Sequence, residues 1–382
     1  MKLFLVAGEP SGDALGAALM AGLRTLAPDV DFHGVGGPLM AAEGLASLFQ
    51  MEELSVMGLV EVLPKYRQLK ARIAQTAAAA TALRPDALVT IDSPDFCLRV
   101  ARAARAATPD LRTIHYVAPT VWAWRPGRAA KMAPVIDHVL ALFPFEPPYM
   151  EAAGMSCDFV GHPVVAQDRA APADAATFRD THSIGPDQPL LLCLPGSRRG
   201  EVARLLPRFH RALAILRASH TGLRVALPTV RGVAPLVRRM VADWDHPPLV
   251  LETAADKAAA FAAADLALAA SGTVSLELAA NRVPMVIAHD FNRLSWWLMK
   301  HAALIDTVTL VNIVAEIRAV PEFLGPACQP AAIAAALHQL LVDPADRAAQ
   351  MAAADLTMVR LGQGGEDPGL RAARSVLAHL VR

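Results

Sequence analysis

A chain of 382 residues is long enough for two domains of ordinary size, each with its own core. Hydrophobic residues at 54% and charged residues at 19% exclude a disordered chain and a coiled coil. Thirty-six basic against 36 acidic residues leave no net charge, which removes the basic excess a nucleic-acid binder uses to displace counterions from phosphate.

Short apolar runs alternate with helical patterns, the rhythm of βα units on a parallel sheet. The amino terminus, MKLFLVAGEPSGD, meets Glu9 and Asp13 directly after its apolar run. That is too soon for a secretion signal or a membrane span, so a first strand is expected at 3–7. The loop Gly8-Glu9-Pro10-Ser11-Gly12-Asp13 then opens a helix and could turn backbone N–H groups toward an anion. It is neither a Walker A sequence nor G-x-G-x-x-G, and a tight turn capped by Ser11 or Asp13 explains it equally well.

A second strand is expected at 32–35. Residues 55–69, SVMGLVEVLPKYRQL, set Val56, Met57, Leu59, Val60, Val62 and Leu63 close to Lys65, Arg67 and Lys70. Such a segment is either buried core with a solvated basic edge or an amphipathic surface for a membrane or an acyl chain. An Ala-rich helix follows and ends at Pro85.

Strands are expected next at 87–91, 113–117 and 139–143. Ile91-Asp92-Ser93-Pro94-Asp95-Phe96 lies at the carboxyl end of the first of these, a place for a general base; either aspartate could instead cap the helix from Pro94. Pro119 to Arg128, PTVWAWRPGR, puts Trp122 and Trp124 beside Arg125 and Arg128. Indoles stack on sugar faces and guanidinium groups grip anions, although a lone Trp can equally plug a domain edge. Cys97, Cys157, Cys193 and Cys328 are too scattered for a disulfide framework or a zinc knuckle, which suits a reducing, cytoplasmic setting.

Texture changes after Gly161-His162-Pro163, so a domain boundary is expected near 165. The rhythm restarts with strands at 190–194, 224–227, 249–252, 265–269 and 285–288. Pro195-Gly196-Ser197-Arg198 ends the first of them: Gly196 and Ser197 offer backbone donors and Arg198 a fork for phosphate oxygens. Ser271-Gly272-Thr273 repeats that logic at a later strand end, with Glu277 one turn into the next helix, where a carboxylate can accept ribose hydroxyls. Capping explains each loop singly, but two strand-end anion loops in one domain favour a nucleotide. The second domain is expected to end near 340, and 341–382 to be carboxyl-terminal helices packing back on the first domain or on a partner subunit. The fold class expected is α/β, two Rossmann-like doubly wound domains facing across a cleft, with ligands at the carboxyl ends of the strands.

The strings LVAGEPSGDALGA, GVGGPLM, VMGLVEVLP, IDSPDFCLRVA, IHYVAPTVWAWRPGR, FPFE with FVGHPV, LPGSRRGEV and ASGTVSLELAANRVPMV resemble, in order and over both domains, the lipid-A-disaccharide synthase family of GT-B glycosyltransferases. The resemblance implies transfer of 2,3-diacylglucosamine from UDP-2,3-diacylglucosamine to 2,3-diacylglucosamine 1-phosphate. The products are UDP and a β-1,6 disaccharide with an inverted anomeric centre, and neither metal nor cofactor is implied. It implies Asp92 as base and UDP contacts from Gly196, Ser197, Arg198, Ser271, Gly272, Thr273, Glu277 and Asn312. Ser11, Gly12, His115, Tyr116, Trp122 and Arg125 fall on the acceptor side, and the segment around Val56 to Leu63 becomes an acyl or membrane patch at the cytoplasmic face of the inner membrane. A homodimer is compatible with it. The segment AHDFNRLSWWLMKHAALIDTVTLVNIV departs from the family's usual residues. Other readings are a UDP-sugar epimerase or glucosaminyltransferase of the same build, or a two-lobed binding protein in which Asp92 is only a cap.

Overall fold

A computed structural model of the chain describes residues 1–54, 59–291, 296–297 and 301–380, with the backbone alone over 59–65. It divides into two units, Met1–Ala166 with Gly364–Arg382, and Gln167–Gln363.

In the first unit the strands are β1 (Lys2–Ala7), β2 (Asp31–Val35), β3 (Ala46–Ser47), β4 (Ala87–Ile91), β5 (Thr113–Tyr116), β6 (His138–Ala141) and β7 (Ser156–Phe159). They form one sheet in the order β3-β2-β1-β4-β5-β6-β7, every pair parallel. The connecting helices are α1 (Pro10–Leu26), α2 (Pro38–Ala42), α3 (Leu59–Leu83), α4 (Pro94–Ala107), α5 (Gly127–Met132) and α6 (Pro147–Glu151). Helices cover both faces of a parallel sheet, so β1 and β4 read as continuous apolar runs and are buried nearly throughout. Proline in the first turn of α1, α2, α4 and α6 starts each helix where a missing N–H costs nothing.

The second unit repeats the plan. Strands β8 (Leu190–Leu194), β9 (Arg224–Pro228), β10 (Leu249–Leu251), β11 (Leu266–Ala269), β12 (Met285–His289) and β13 (Glu322–Leu324) are parallel in the order β10-β9-β8-β11-β12-β13. Among the described residues its helices are α7 (Pro172–Thr181), α8 (Arg199–Ser219), α9 (Ala234–Val241), α10 (Ala254–Ala263), α11 (Val274–Ala280), α12 (Leu310–Ala315), α13 (Pro330–Val342) and α14 (Pro344–Arg360). Phe209, Leu205 and Leu213 of α8, Val237 of α9 and Leu337 of α13 meet Leu191 and Val225 of the sheet in one core.

All ten strands expected from the sequence are present, shifted by at most a few residues at their ends. The additional ones, β3, β7 and β13, are short edge strands, which carry little periodic signal.

The tail read from the sequence as one set of helices over 341–382 is divided between the units. Helix α14 stays in the second, where Gln350 bonds the backbone N–H and carbonyl of Met285 at 2.8 and 3.1 Å. The last helix, α15 (Pro368–Ala378), packs on α1 of the first unit.

Candidate functional site

Both sheets reverse their strand order at one point, between β1 and β4 and between β8 and β11. The loops leaving the carboxyl ends of those strands diverge there and leave room for a ligand.

In the first unit, Ala7 pairs with Ile91, so the loop after β1 lies beside the loop after β4. The Ser11 hydroxyl donates to Asp92 Oδ2 at 3.1 Å, and the Ser93 hydroxyl to Glu9 Oε1 at 3.2 Å. Asp92 Oδ1 accepts the Ser93 N–H at 2.9 Å. Asp92 and Ser93 both hold positive φ, 52° and 41°, which is strained backbone of the kind that gathers at functional sites. The arrangement leaves the Asp92 carboxylate half-buried at the switch point, held by a hydroxyl and an amide, and Asp95 exposed on the first turn of α4. Asp13, buried, accepts backbone N–H groups of Gly37, Leu39 and Met40 at 2.9 to 3.0 Å and so anchors the GVGGP turn. Gly12 is buried where α1 passes β4; a Cβ there would meet the Ile91 carbonyl at 3.2 Å.

The other residues expected on the acceptor side separate into three groups. His115 and Tyr116 lie inside β5 with side chains on opposite faces of the sheet, 1% and 0% exposed, and the Tyr116 hydroxyl is buried without a hydrogen-bond partner. His115 Nδ1 meets the Thr90 hydroxyl at 2.7 Å, and burial holds its pKa down at about 4. Trp122 is also buried: its indole N–H donates to Glu146 Oε1 at 3.2 Å and its ring meets Phe143 and Phe145 edge-on. Glu146 Oε2 accepts the N–H groups of Leu142 and Phe143, and burial raises this carboxyl to about 7. The FPFE motif therefore fastens the Trp-rich loop. Trp124 is the exposed indole of the pair, with Arg125 lying over its ring at 4.1 Å.

In the second unit the loops after β8, β9 and β11 line a pocket of about 380 Å³ together with α10 and α11. Gly196, Ser197, Arg198, Ser271, Gly272, Thr273 and Glu277 all face it. Gly196, at φ 106°, needs its missing side chain, since a Cβ would sit 2.5 Å from Glu201 Oε2. Gly272, at φ 145°, likewise turns a backbone that L side chains rarely adopt.

Arg198 meets Glu201 at 3.5 Å with most of its side chain in solvent, a weak pair that a diphosphate can displace. Lys257 bonds Glu277 at 2.5 Å, so Glu277 enters the pocket already neutralised. Lys257 from α10 and Thr229 from the end of β9 are lining residues that sequence reading missed. Neither belongs to the two small-residue loops that the sequence singled out. The Thr229 hydroxyl oxygen is buried without a hydrogen-bond partner.

Asn312 is apart from this pocket. It is 1% exposed, and its amide both donates to the Val320 carbonyl and accepts the Val320 N–H, each at 2.9 Å. Those bonds close the turn after α12. Val56 and Met57 lie outside the described residues, and Leu59, Val60, Val62 and Leu63 are placed only as backbone of α3. No helix among the described residues is long and apolar enough to cross a membrane.

Two other features fall away from the strand-end loops. A hollow of about 800 Å³ opens at the amino-terminal edge of the first sheet, away from the strand-end loops, and Arg105 pairs with Asp137 at 2.7 Å on its wall. His138, Asp158 and His379 cluster closely enough to suggest metal ligands. Their imidazoles stack at 3.5 Å and 16°, which aims the nitrogen lone pairs alongside each other rather than at a common point, and His138 already bonds Ser156 and Ser375.

The family model for lipid-A-disaccharide synthetase matches residues 3–366. The lipid-A-disaccharide synthase of Ruegeria pomeroyi is 61% identical, covering 100% of this chain and 96% of that protein. The one from Rhodospirillum centenum is 50% identical over 99% and 94%. Among solved structures, UDP-GlcNAc 2-epimerase from Neisseria meningitidis bound to UDP-GlcNAc superposes with a TM-score of 0.68 over 100% of both chains at 11% identity, which speaks for the fold alone.

Proposed function

The chain belongs to the lipid-A-disaccharide synthase family, and on that premise we propose that it transfers 2,3-diacylglucosamine from UDP-2,3-diacylglucosamine to 2,3-diacylglucosamine 1-phosphate. The observation that carries the reading is the second unit's pocket, where two strand-end loops bring Arg198 and Ser271 to one site at a topological switch point.

Inversion needs a single displacement. Asp92 takes the proton of the acceptor 6-hydroxyl as that oxygen bonds to the donor's anomeric carbon, and the bond to UDP breaks. The negative charge that grows on the leaving diphosphate falls to Arg198, to the Ser271 hydroxyl and to backbone N–H groups of the Gly196 and Gly272 turns. Glu277, bridged by Lys257, accepts from the ribose. Ser11 orients the Asp92 carboxylate, and Arg125 with exposed Trp124 offers a cation and a ring face to the phosphorylated acceptor. The acyl chains meet the apolar members of 56–63 at the cytoplasmic face of the inner membrane, where the protein sits peripherally.

The test is turnover in detergent with chelator present, following UDP and disaccharide together, with sedimentation on anionic vesicles as the membrane readout. Equal amounts of both products are expected. UDP without disaccharide would remove the acceptor assignment, and loss of all turnover on chelation would remove the metal-free scheme.

A further inference from the structure

Behind the donor pocket stands a residue that the proposed reaction has not used. Ser271 Oγ, which faces the pocket, lies 2.9 Å from Nδ1 of His289, the last residue of β12. His289 is half-buried, its ring packed at 4.3 Å against Phe291. The charges that face it are Glu201 and Arg204 of α8 and its neighbour Asp290; Asp290 is held by Arg208 at 3.0 Å. None of these is bonded to the imidazole, whereas Ser271 is.

A serine hydroxyl has one hydrogen. If it gives that hydrogen to Nδ1, it turns lone pairs toward the pocket and repels an anion. If Nδ1 carries a proton and donates to Oγ, the hydroxyl hydrogen is free for a phosphate oxygen. An imidazolium must donate from both nitrogens and adds a positive charge behind the loop.

Resting on the donor-site reading above, we propose that His289 is a positioning residue of the diphosphate site, a donor relay from Nδ1 through Ser271 Oγ to a phosphate oxygen, so that UDP binding and protonation of His289 favour each other. In the free protein, burial holds the imidazole below its ordinary pKa, so it is neutral near neutral pH. A bound diphosphate opposes the effect of burial by its charge. By linkage, affinity for UDP then rises as pH falls through the pKa of the bound state, and a proton is taken up on binding.

The test is titration calorimetry of UDP into the full chain from about pH 8 to about pH 6, in buffers of differing ionisation enthalpy, on the unaltered protein, H289N and H289F. Asn presents an amide near the position of Nδ1 and does not titrate; Phe keeps the ring and has no donor. The nucleotide's own phosphate titrates near about 6 but does so equally for all three proteins. The unaltered protein is expected to gain several-fold more affinity than H289N on acidification and to take up a proton that H289N does not. H289F is expected to bind about tenfold more weakly at every pH. If H289N follows the unaltered protein at each pH, or H289F binds as tightly, the relay is overturned. Failure of the unaltered protein to bind UDP at all would overturn the donor-site reading first, and the relay with it.

Discussion

Asp92 follows β4 and Arg198 follows β8, strands on opposite sides of the switch point in their two sheets, and on the proposed reading their side chains suit different tasks. Asp92 is fixed by the Ser11 hydroxyl and by strained backbone, as a base must be if its lone pair is to meet one hydroxyl hydrogen. Arg198 is two-thirds exposed and loosely paired, free to swing onto an incoming diphosphate. The kinetic consequences should divide accordingly. D92N is expected to lower kcat by roughly two to four orders of magnitude while UDP affinity stays. R198A should raise the KM for the UDP-sugar by about ten- to a hundredfold and lower kcat as well, since charge on the leaving group grows in the transition state. Steady-state kinetics of the two variants with UDP binding measured alongside checks the contrast, and a D92N enzyme with undiminished kcat removes the base. That both lie in loops at strand ends was legible because a strand end followed by small residues is a local pattern. His115, Tyr116 and Asn312 came only from the resemblance, and sequence alone does not show that all three are buried. Their bonds, to Thr90 for His115 and to Val320 for Asn312, join residues 25 and 8 positions apart, which no local pattern contains.

At the scale of elements, α15 is the part that no local pattern placed. Its seat on α1 depends on two glycines far apart in sequence. A Cβ on Gly22 would lie 2.6 Å from the Gly369 carbonyl, and one on Gly369 would lie 2.6 Å from the Ala18 carbonyl. Backbone faces backbone at that crossing, so neither helix can yield by turning a side chain aside. The same helix is stitched to β6 and β7: Ser375 Oγ donates to Asp158 at 2.6 Å and meets His138 Nε2 at 2.8 Å, and Arg371 donates to the Phe159 carbonyl at 2.7 Å. G369V should therefore force the helices apart and destabilise the first unit by about 1–3 kcal/mol. Its unfolding temperature should fall, while UDP binding by the second unit stays intact. An unchanged melting curve would mean that the crossing tolerates the extra volume and that the glycines are not what seats the helix. Helical periodicity announces that α15 exists, but the choice of unit resides in a contact between its first turn and α1, which a pattern within the tail does not contain.

Over the whole molecule, the duplicated strand order follows from the duplicated rhythm of the sequence, whereas the response to acid follows from groups that burial has moved. His115, His138 and His162 are all held near pKa 4, by burial in the first place and, for His138, by the stacked His379 as well. A histidine whose folded pKa lies below its unfolded value near about 6.5 stabilises the fold above that value. The stabilisation is lost as pH falls toward 4, because the unfolded chain binds the proton first. Glu146 works in the opposite sense. Raised to about 7, it favours the fold at low pH and loses that contribution as pH climbs from its ordinary range through 7. Each shift is worth roughly 3 kcal/mol at most, and three histidines outweigh one glutamate, so the balance is acid destabilisation. All four groups lie in the first unit. Thermal unfolding followed from about pH 7.5 down to about pH 5 should show that unit melting progressively earlier, with a smaller change in the second. H162N removes one of the three titrations and should flatten the curve. A first unit whose melting temperature held constant over that range would mean that these histidines are solvated in the folded protein, and that the packing of β5, β6 and the FPFE turn is looser than their burial requires.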